Sequence, residues 1–274
     1  MISFPNCKIN LGLNILSKRS DGFHDLETVF VPAPFEDCLE IERAADVTTF
    51  SISGVPVEGK PENNLVLKAY ELLRSMFDLP PVEIKLHKQI PTGAGLGGGS
   101  SNAAFTLRLL NEKFNLHLNQ KDLLDLAARL GSDCPFFIIN SPCVGTERGN
   151  ILEPIQLPQL NGLFGIIVIP PLHISTAWAF QQITVKPSGE SIKEVIAGPL
   201  HQWKQLLVND FEKAVFNAYP QLKKIKDQLY ESGAIYSSLS GSGSALYGLF
   251  AELPTITFPS PHVVKTFAFH TSES

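Results

Sequence analysis

Glycine and hydroxyl residues are concentrated in one segment, residues 91–104, with the sequence Pro-Thr-Gly-Ala-Gly-Leu-Gly-Gly-Gly-Ser-Ser-Asn-Ala-Ala. Glycine permits positive φ angles and close approach of the main chain to a ligand. Ala103, Leu107 and Leu110 then recur at helical spacing, so a helix is expected to follow. The free amides and the dipole of a helix N-terminus favour an anion. The segment therefore predicts a phosphate-binding loop with the anion at residues 97–101; a mobile glycine-serine linker is the alternative.

Two familiar glycine-rich loops fit this segment less well. The Walker loop needs Lys-Ser or Lys-Thr after its last glycine, where this chain has Ser100-Ser101. Gly93-x-Gly95-x-x-Gly98 matches the dinucleotide fingerprint, which also needs a carboxylate about 20 residues further on, at the end of a second strand. The sequence instead predicts helix over residues 100–112 and a second helix capped by Asn119. Dinucleotide binding remains a minor alternative.

The elements that position this loop are predicted from hydrophobic periodicity. Residues 82–86 alternate apolar and polar side chains and predict the strand that leads into the loop. Alternation over residues 9–15 predicts a strand with one buried face, with Lys8 and Asn10 on the same side. Other strands are expected at 28–31, 39–43 and 47–52, and a helix at 65–76.

A second unit is expected after a weakly patterned segment, residues 140–158, which gives domains at 1–154 and 155–274. The second is predicted to contain a strand at 163–169, helices at 191–208 and 210–231, and strands at 235–239 and 245–250. The small-residue turn 241–243 either joins two strands as a hairpin or lies beside the phosphate loop. Residues 266–274 are expected to be a strand end and a frayed tail.

Composition limits the classes of partner. A chain of 274 residues with 44% hydrophobic residues can bury a sizeable core, and its net charge of −5 argues against nucleic acid or an anionic membrane as the main partner. No leader segment is apparent at the N-terminus, and the longest apolar stretch ends at Pro170-Pro171, so we expect neither targeting nor membrane insertion. The four cysteines lack metal-ligand spacing and are expected to be reduced thiols in a cytoplasm, Cys134 as a small buried apolar residue: Cys7, Cys38, Cys134 and Cys143.

The loop pattern P-x-x-x-G-L-G-G-G-S-S-N-A-A resembles the nucleotide-phosphate motif of the GHMP kinase family. Segments 5–11 (Pro-Asn-Cys-Lys-Ile-Asn-Leu) and 239–245 (Leu-Ser-Gly-Ser-Gly-Ser-Ala) resemble the family's other two motifs. The resemblance implies a two-domain α+β fold, with a ribosomal-protein-S5-domain-2-like N-terminal domain. A ferredoxin-like α/β-sandwich C-terminal domain would complete the substrate cleft.

Within the family, segments 8–11, 21–24 (Asp-Gly-Phe-His) and 131–135 (Gly-Ser-Asp-Cys-Pro) are most similar to kinases of the non-mevalonate route to isoprenoid precursors. Those kinases phosphorylate the 2-hydroxyl of a cytidine-diphosphate-linked methylerythritol. Kinases for mevalonate, homoserine or a sugar are the sibling alternative, and they should lack the Gly-Phe-His segment. A nucleotide-binding protein without catalysis is the alternative from another class.

The resemblance assigns the ATP site to the loop and two residues near it. Asn64 matches the residue that contacts adenine, and Lys88 would reach the ribose or the base. From the residues alone, Asn64 is a helix N-cap, Lys88 an exposed strand end, and the two serines are helix caps. The loop residues assigned to the phosphates are Pro91, Gly93, Gly95, Leu96, Gly97, Gly98, Gly99, Ser100 and Ser101.

The same resemblance assigns the chemistry to Asp133 and Lys8. Asp133 would take the proton of the attacking hydroxyl, while Lys8 would keep that carboxylate ionised and offset negative charge in the transition state. Without the resemblance, Asp133 is a capping or turn residue and Lys8 a solvated strand residue.

On the acceptor side, Phe23 would stack on the cytosine and His24 would hydrogen-bond its edge. The family often has Tyr where this chain has Phe23, so any hydrogen bond from that hydroxyl is lost here. Phe180 matches the second stacking aromatic, although its spacing alone predicts a core position. Asn10 is a candidate partner for the polyol or its phosphate.

The expected cofactor is Mg²⁺ bound with ATP. Several relatives hold this ion with a carboxylate between the phosphate motif and the catalytic Asp, whereas the only Glu in that interval, Glu112, is predicted at the far end of the helix. We therefore assign no protein carboxylate to the metal, which is expected chiefly on the phosphates and water, with the Ser100 and Ser101 hydroxyls as further phosphate donors or magnesium-side ligands. The expected partners are two small-molecule substrates, and the chain is expected to be a monomer or weak homodimer.

Overall fold

The computed structural model describes residues 1–57, 59–185 and 190–269. The strands are β1 (Ile2–Ser3), β2 (Asn6–Lys18), β3 (His24–Glu36), β4 (Cys38–Arg43), β5 (Thr49–Gly54), β6 (Val82–Lys88), β7 (Cys143–Thr146), β8 (Ile151–Pro154), β9 (Phe164–Ile169), β10 (Tyr236–Leu239), β11 (Leu246–Phe250) and β12 (Val263–Ala268). The helices are α1 (Leu65–Arg74), α2 (Gly98–Lys113), α3 (Gln120–Leu130), α4 (Cys134–Ile139), α5 (Thr176–Gln181), α6 (Ile192–Ala197), α7 (Trp203–Leu206), α8 (Phe211–Ala218) and α9 (Pro220–Glu231).

The chain divides into two compact units, each built from separated stretches of sequence. The first unit comprises Met1–Lys8, Pro32–Thr92 and Gly97–Ser141. The second comprises Ile9–Val31, Gly93–Leu96 and the described residues from Pro142 onward. The domain boundary at 154/155 stays a prediction from the sequence.

The first unit contains a four-stranded sheet in the order β1-β4-β6-β5. The central strand β6 buries Val82, Ile84 and Leu86 on one face, in agreement with the predicted alternation. Helix α2 contacts α1 and α4. It buries the predicted stripe of Ala103, Leu107 and Leu110.

The helix ends in this unit have identifiable causes. Helix α2 begins at Gly98, directly after Gly97 in the left-handed conformation with φ 71°. Helix α3 is capped by Asn119, whose side chain accepts from the Asp122 amide while the Asp122 carboxylate accepts from the Asn119 amide. This reciprocal pair is a capping box. The Asp122 carboxylate therefore caps α3 and is not the ribose-binding carboxylate that a dinucleotide site would need.

The second unit contains a four-stranded antiparallel sheet in the order β10-β11-β9-β12. Its apolar side chains form a buried cluster with the helices, and members include Ile166, Val168, Phe211, Leu229 and Leu246. Another sheet has the order β2-β3-β7-β8.

Several elements differ from the sequence predictions. The predicted helix 191–208 is broken after α6, because Pro199 disfavours helical backbone at Gly198. The predicted helix 210–231 consists of α8 and α9, the second beginning with Pro220 at its first position. The segment 140–158 contains a strand pair, β7 and β8, too short for periodicity to show.

Strand β2 lacks the predicted exposed polar face at its start, because every residue from Asn6 to Leu13 is buried. The predicted strand end after Thr266 is seen in β12, and the predicted frayed tail at 270–274 lies outside the described residues. Over the part of the chain that the structure describes, no helix has the length and apolar character needed to cross a bilayer.

Candidate active site

The first half of the glycine loop is held by the small-residue turn of the second unit. The Ser240 hydroxyl donates to the Gly95 carbonyl at 2.9 Å, and the Ala245 amide donates to the Ala94 carbonyl at 3.0 Å. Gly95 has φ 78°, and a Cβ there would collide with the Ser240 carbonyl. The turn therefore lies beside the glycine loop and also joins β10 to β11 as a hairpin, so both predicted alternatives apply.

The second half of the loop forms the beginning of α2 in the first unit. A Cβ on Gly97 would lie 2.9 Å from Phe137 Cζ and 3.2 Å from Lys8 Cγ, so Lys8 packs against the loop. A Cβ on Gly99 would meet nothing within 4 Å. The first amides of a helix lack partners within it, and no side chain caps α2. Those amides therefore have no partner within the helix and no side-chain cap, as a phosphate site requires.

Ser100 and Ser101 do not cap the helix, so that interpretation of the two serines is wrong. Burial raises the pKa of the Cys134 thiol to about 12, and the neighbouring Ser100 hydroxyl opposes part of that shift. This agrees with the expected buried, unreactive cysteine. The Ser101 hydroxyl is buried and has no hydrogen-bond partner among the described residues.

Lys8 and Asp133 lie together, as the resemblance implied. The Lys8 ammonium is 3.9 Å from Asp133 Oδ2, with the two side chains 5% and 36% exposed. Burial lowers the pKa of Lys8 and the Asp133 carboxylate opposes that shift. Lys8 is therefore not a solvated strand residue. Asp133 precedes α4 without capping it through its side chain, which leaves the carboxylate available for chemistry.

A cavity of about 250 Å³ opens in the first unit beside the start of α2, with Gly99 in its lining. Ile52 and Leu65 supply apolar surface, and Asn64 and Asn102 supply amides. Asn64 caps α1, because its Oδ1 accepts from the Val66 amide at 2.9 Å. The N-cap interpretation of Asn64 is confirmed, while its contact with adenine stays a prediction.

Lys88 also lines this cavity, but it is not an exposed strand end. It is only 2% exposed and forms an ion pair with the fully buried Asp37. Its ammonium also donates to Asn102 Oδ1 at 2.9 Å. Neither partner is evident from the sequence, because Asp37 between two strands has the pattern of a turn residue and Asn102 that of an ordinary helix residue.

The predicted acceptor residues lie in the second unit. His24 stacks on Phe180 with ring centroids 4.9 Å apart and an interplanar angle of 16°. Phe180 also meets Phe211 edge to face at 4.9 Å, so it is partly a core residue. Burial, followed by the charge of Lys18, lowers the pKa of His24, which favours the neutral ring.

Phe23 is 51% exposed, and the Arg148 guanidinium lies over its ring at 4.8 Å from the centroid. This is a cation–π contact that the sequence does not indicate, because Arg148 lies in the β7–β8 turn, which carries no periodic pattern. Asn10 is 1% exposed, and its Nδ2 donates to Thr28 Oγ1 at 3.0 Å. The structure thus places Asn10 inside the unit, and its contact with substrate stays a prediction.

Comparison with known proteins decides the family. The chain matches the GHMP kinases N terminal domain over residues 64–141 and the GHMP kinases C terminal domain over residues 191–256. It is 53% identical to the 4-diphosphocytidyl-2-C-methyl-D-erythritol kinase of Bacteroides fragilis (strain ATCC 25285), covering 94% of each chain. The chain belongs to the GHMP kinase family. The GHMP kinase of the same name from Porphyromonas gingivalis (strain ATCC 33277) is 47% identical, covering 93% of this chain and 94% of its own.

Solved structures of GHMP kinases share the fold. A crystal structure of 4-(cytidine 5'-diphospho)-2C-methyl-D-erythritol kinase matches with a TM-score of 0.78 and 29% identity, covering 91% of this chain and 90% of its own. The Methanococcus jannaschii mevalonate kinase matches with a TM-score of 0.67 at 14% identity, covering 91% and 90%, which shows the fold alone. The predicted family and the two-domain α+β fold are confirmed.

Proposed function

We propose that this GHMP kinase transfers the γ-phosphate of ATP to the 2-hydroxyl of 4-diphosphocytidyl-2-C-methyl-D-erythritol, an alcohol-group acceptor. Relatives at 47% and 53% identity over nearly the whole chain are named as kinases of that compound. The observation in the structure that carries the proposal is Lys8, which packs against Gly97 of the loop and lies 3.9 Å from Asp133. The aliphatic part of Lys8 thus contacts the proposed phosphate loop, and its ammonium lies near the candidate base.

Phosphoryl transfer needs the donor phosphates fixed, their charge offset, and the acceptor hydroxyl aligned. The free amides at the start of α2 bind the phosphates of ATP, with the Ser100 and Ser101 hydroxyls beside them. The cavity lined by Asn64, Lys88 and Gly99 receives the adenosine.

Asp133 accepts the proton of the attacking hydroxyl. Its Oδ2 lies 3.9 Å from the Lys8 ammonium, which attracts and orients the carboxylate. The same ammonium offsets negative charge that develops on the transferred group. Because burial lowers the pKa of Lys8, removal of Asp133 is expected to lower that pKa further.

Magnesium fits this site through the nucleotide. Among the described residues no group of three His, Cys, Asp or Glu side chains is arranged to hold a metal. The unpaired Ser101 hydroxyl is an oxygen donor of the kind that Mg²⁺ accepts alongside phosphates and water. When bound, the ion neutralises charge on the phosphates.

Recognition of the acceptor falls to the aromatic residues of the second unit. The exposed ring of Phe23 provides a surface on which a cytosine can stack, and the neutral His24 ring has one donor and one acceptor for the base edge. Phe180 supports His24 by stacking, and Asn10 contacts the polyol or its phosphate.

The four cysteines are all free thiols, which suits the reducing cytoplasm that we propose as the location. The proposed pathway role is the ATP-dependent step of the non-mevalonate route to isoprenoid precursors. The chain acts on small molecules as a monomer or weak homodimer.

The test is an ADP-release assay, coupled to pyruvate kinase and lactate dehydrogenase, with four acceptors. These are 4-diphosphocytidyl-2-C-methyl-D-erythritol, mevalonate, homoserine and galactose. Only the first is expected to stimulate ADP release. Stimulation by one of the other three would reassign the enzyme to a sibling activity, and no stimulation by any acceptor would refute the proposal.

A further inference from the structure

One buried carboxylate in the first unit has no part in the mechanism above. Asp37, between β3 and β4, is 0% exposed. Its Oδ1 accepts from the amides of Gln89 at 2.7 Å and Ile90 at 2.9 Å. Its Oδ2 accepts from the Lys88 ammonium and from Asn102 Nδ2, the latter at 2.8 Å. We call Asp37, Lys88 and Asn102 the Asp37 cluster; its third link joins the Lys88 ammonium to Asn102 Oδ1.

The Asp37 cluster is hydrogen-bonded to the chain both before and after the phosphate loop. Residues 88–90 lead directly into the loop, and Asn102 is in the second turn of α2. A Cβ on Gly98 would lie 2.9 Å from Ile90 Cγ2 and 3.3 Å from Lys88 Nζ, so the first turn of α2 rests on the segment that Asp37 anchors. One carboxylate therefore fixes the start and the end of the loop relative to each other.

The ion pair in the cluster limits the ability of Lys88 to bind a phosphate. Burial lowers the pKa of Lys88 and the Asp37 carboxylate opposes that shift. A buried ion pair is weak evidence for stability, because desolvation of both groups offsets their attraction. The Lys88 ammonium donates to Asp37 Oδ2 and Asn102 Oδ1, so two of its three donors are already used within the cluster. The main-chain amides of α2 are then the groups that hold the phosphates, and their spacing depends on the anchors.

We propose that Asp37 is a positioning residue for ATP: its carboxylate holds the phosphate loop in the binding geometry before the nucleotide arrives. This inference rests on the proposed kinase function. A loop that is already ordered loses less conformational freedom on binding. Loss of the anchor should therefore weaken ATP binding and leave the binding of the acceptor unchanged.

The first experiment measures steady-state kinetics of Asp37→Asn, which keeps the shape of the side chain but places an amide donor against the Lys88 ammonium. Loss of a charged hydrogen bond predicts a KM for ATP raised about 10- to 100-fold. A purely destabilising change would lower the active fraction and leave both KM values alone. An unchanged KM for ATP in the folded variant, or an equal rise in both KM values, overturns the proposal.

A matched rescue variant separates positioning from general damage. Asp37→Asn combined with Asn102→Asp exchanges the carboxylate and the amide, so Lys88 regains a negative partner and residue 37 can still accept the Gln89 and Ile90 amides. We expect the KM for ATP of the double variant to be at least about tenfold lower than that of Asp37→Asn. This factor corresponds to one regained charged hydrogen bond. Additive effects of the two substitutions would contradict a shared cluster.

A measurement on the unaltered protein covers the case in which Asp37→Asn does not fold. In hydrogen exchange without nucleotide, the amides of Gln89 and Ile90 should be protected as strongly as those inside β6. Rapid exchange that becomes slow only with an ATP analogue overturns the proposal. Because this result needs no turnover, it still decides the role of Asp37 if the four-acceptor assay refutes the kinase function.

Discussion

Two adjacent glycines at the start of α2 offer a sharp test of where the phosphates bind. Gly98 and Gly99 both lie in the helix with no positive φ, so alanine fits the backbone at either position. Their surroundings differ. A Cβ on Gly98 would lie 2.9 Å from Ile90 Cγ2, and Ile90 is fully buried. A Cβ on Gly99 would enter the open space of the cavity.

The two alanine substitutions should therefore have opposite effects. Gly98→Ala overpacks the contact with Ile90, which costs about 1–3 kcal/mol. Gly99→Ala removes the flexibility of glycine from a helix without a clash, which stabilises the fold by about 0.5–1 kcal/mol. In the proposed binding mode, however, its methyl group occupies cavity space next to the amides that bind the phosphates. Loss of one hydrogen bond to a charged group predicts a KM for ATP raised about 10- to 100-fold.

The assay is thermal denaturation of both variants followed by ADP release as a function of ATP concentration. Gly99→Ala should melt at or above the temperature of the unaltered protein and yet bind ATP poorly, while Gly98→Ala should melt below it. If Gly99→Ala keeps the original KM for ATP, the phosphates do not bind at the start of α2.

Arg148→Ala removes the cation over the Phe23 ring and should raise the KM for the acceptor about two- to fivefold with no change for ATP; an equal change for both substrates would exclude a role in acceptor binding. An NMR pH series should give His24 a pKa below its ordinary value of 6.5. As pH falls through 6.5, the unfolded chain then binds the proton before the folded protein does, so the contribution of His24 to stability declines. A His24 pKa above 6.5 would contradict the burial argument. Cys134 should resist iodoacetamide at pH 8 in the folded protein, because a thiol with pKa about 12 is rarely ionised there; mass spectrometry should find it alkylated only after unfolding.

The sequence predicted those features that depend on neighbouring residues. The glycine loop, the strand β6 before it and the helix α2 after it lie where backbone freedom and periodicity placed them. The N-cap of α3, Asn119, was predicted from capping preference. Local signals suffice here because each feature is determined within a few residues.

The burial of charged residues was not predicted, because it depends on partners distant in sequence. Lys8 and Lys88 look like solvated strand residues until Asp133 and Asp37 are placed beside them. Only the resemblance to a family suggested the first pair, and nothing suggested the second. Arg148 was missed for the same reason, since its contact with Phe23 spans more than a hundred residues.

The pairing of Asp133 with Lys8 is the central claim, and Asp133→Asn tests it most directly. Single-turnover transfer to 4-diphosphocytidyl-2-C-methyl-D-erythritol should be compared in this variant and in Asp125→Asn, a control on the exposed face of α3. Loss of a general base predicts a rate lowered about 10²- to 10⁴-fold, with ATP affinity retained and the control unaffected. An Asp133→Asn enzyme that transfers phosphate at the original rate would show that this carboxylate is not the base.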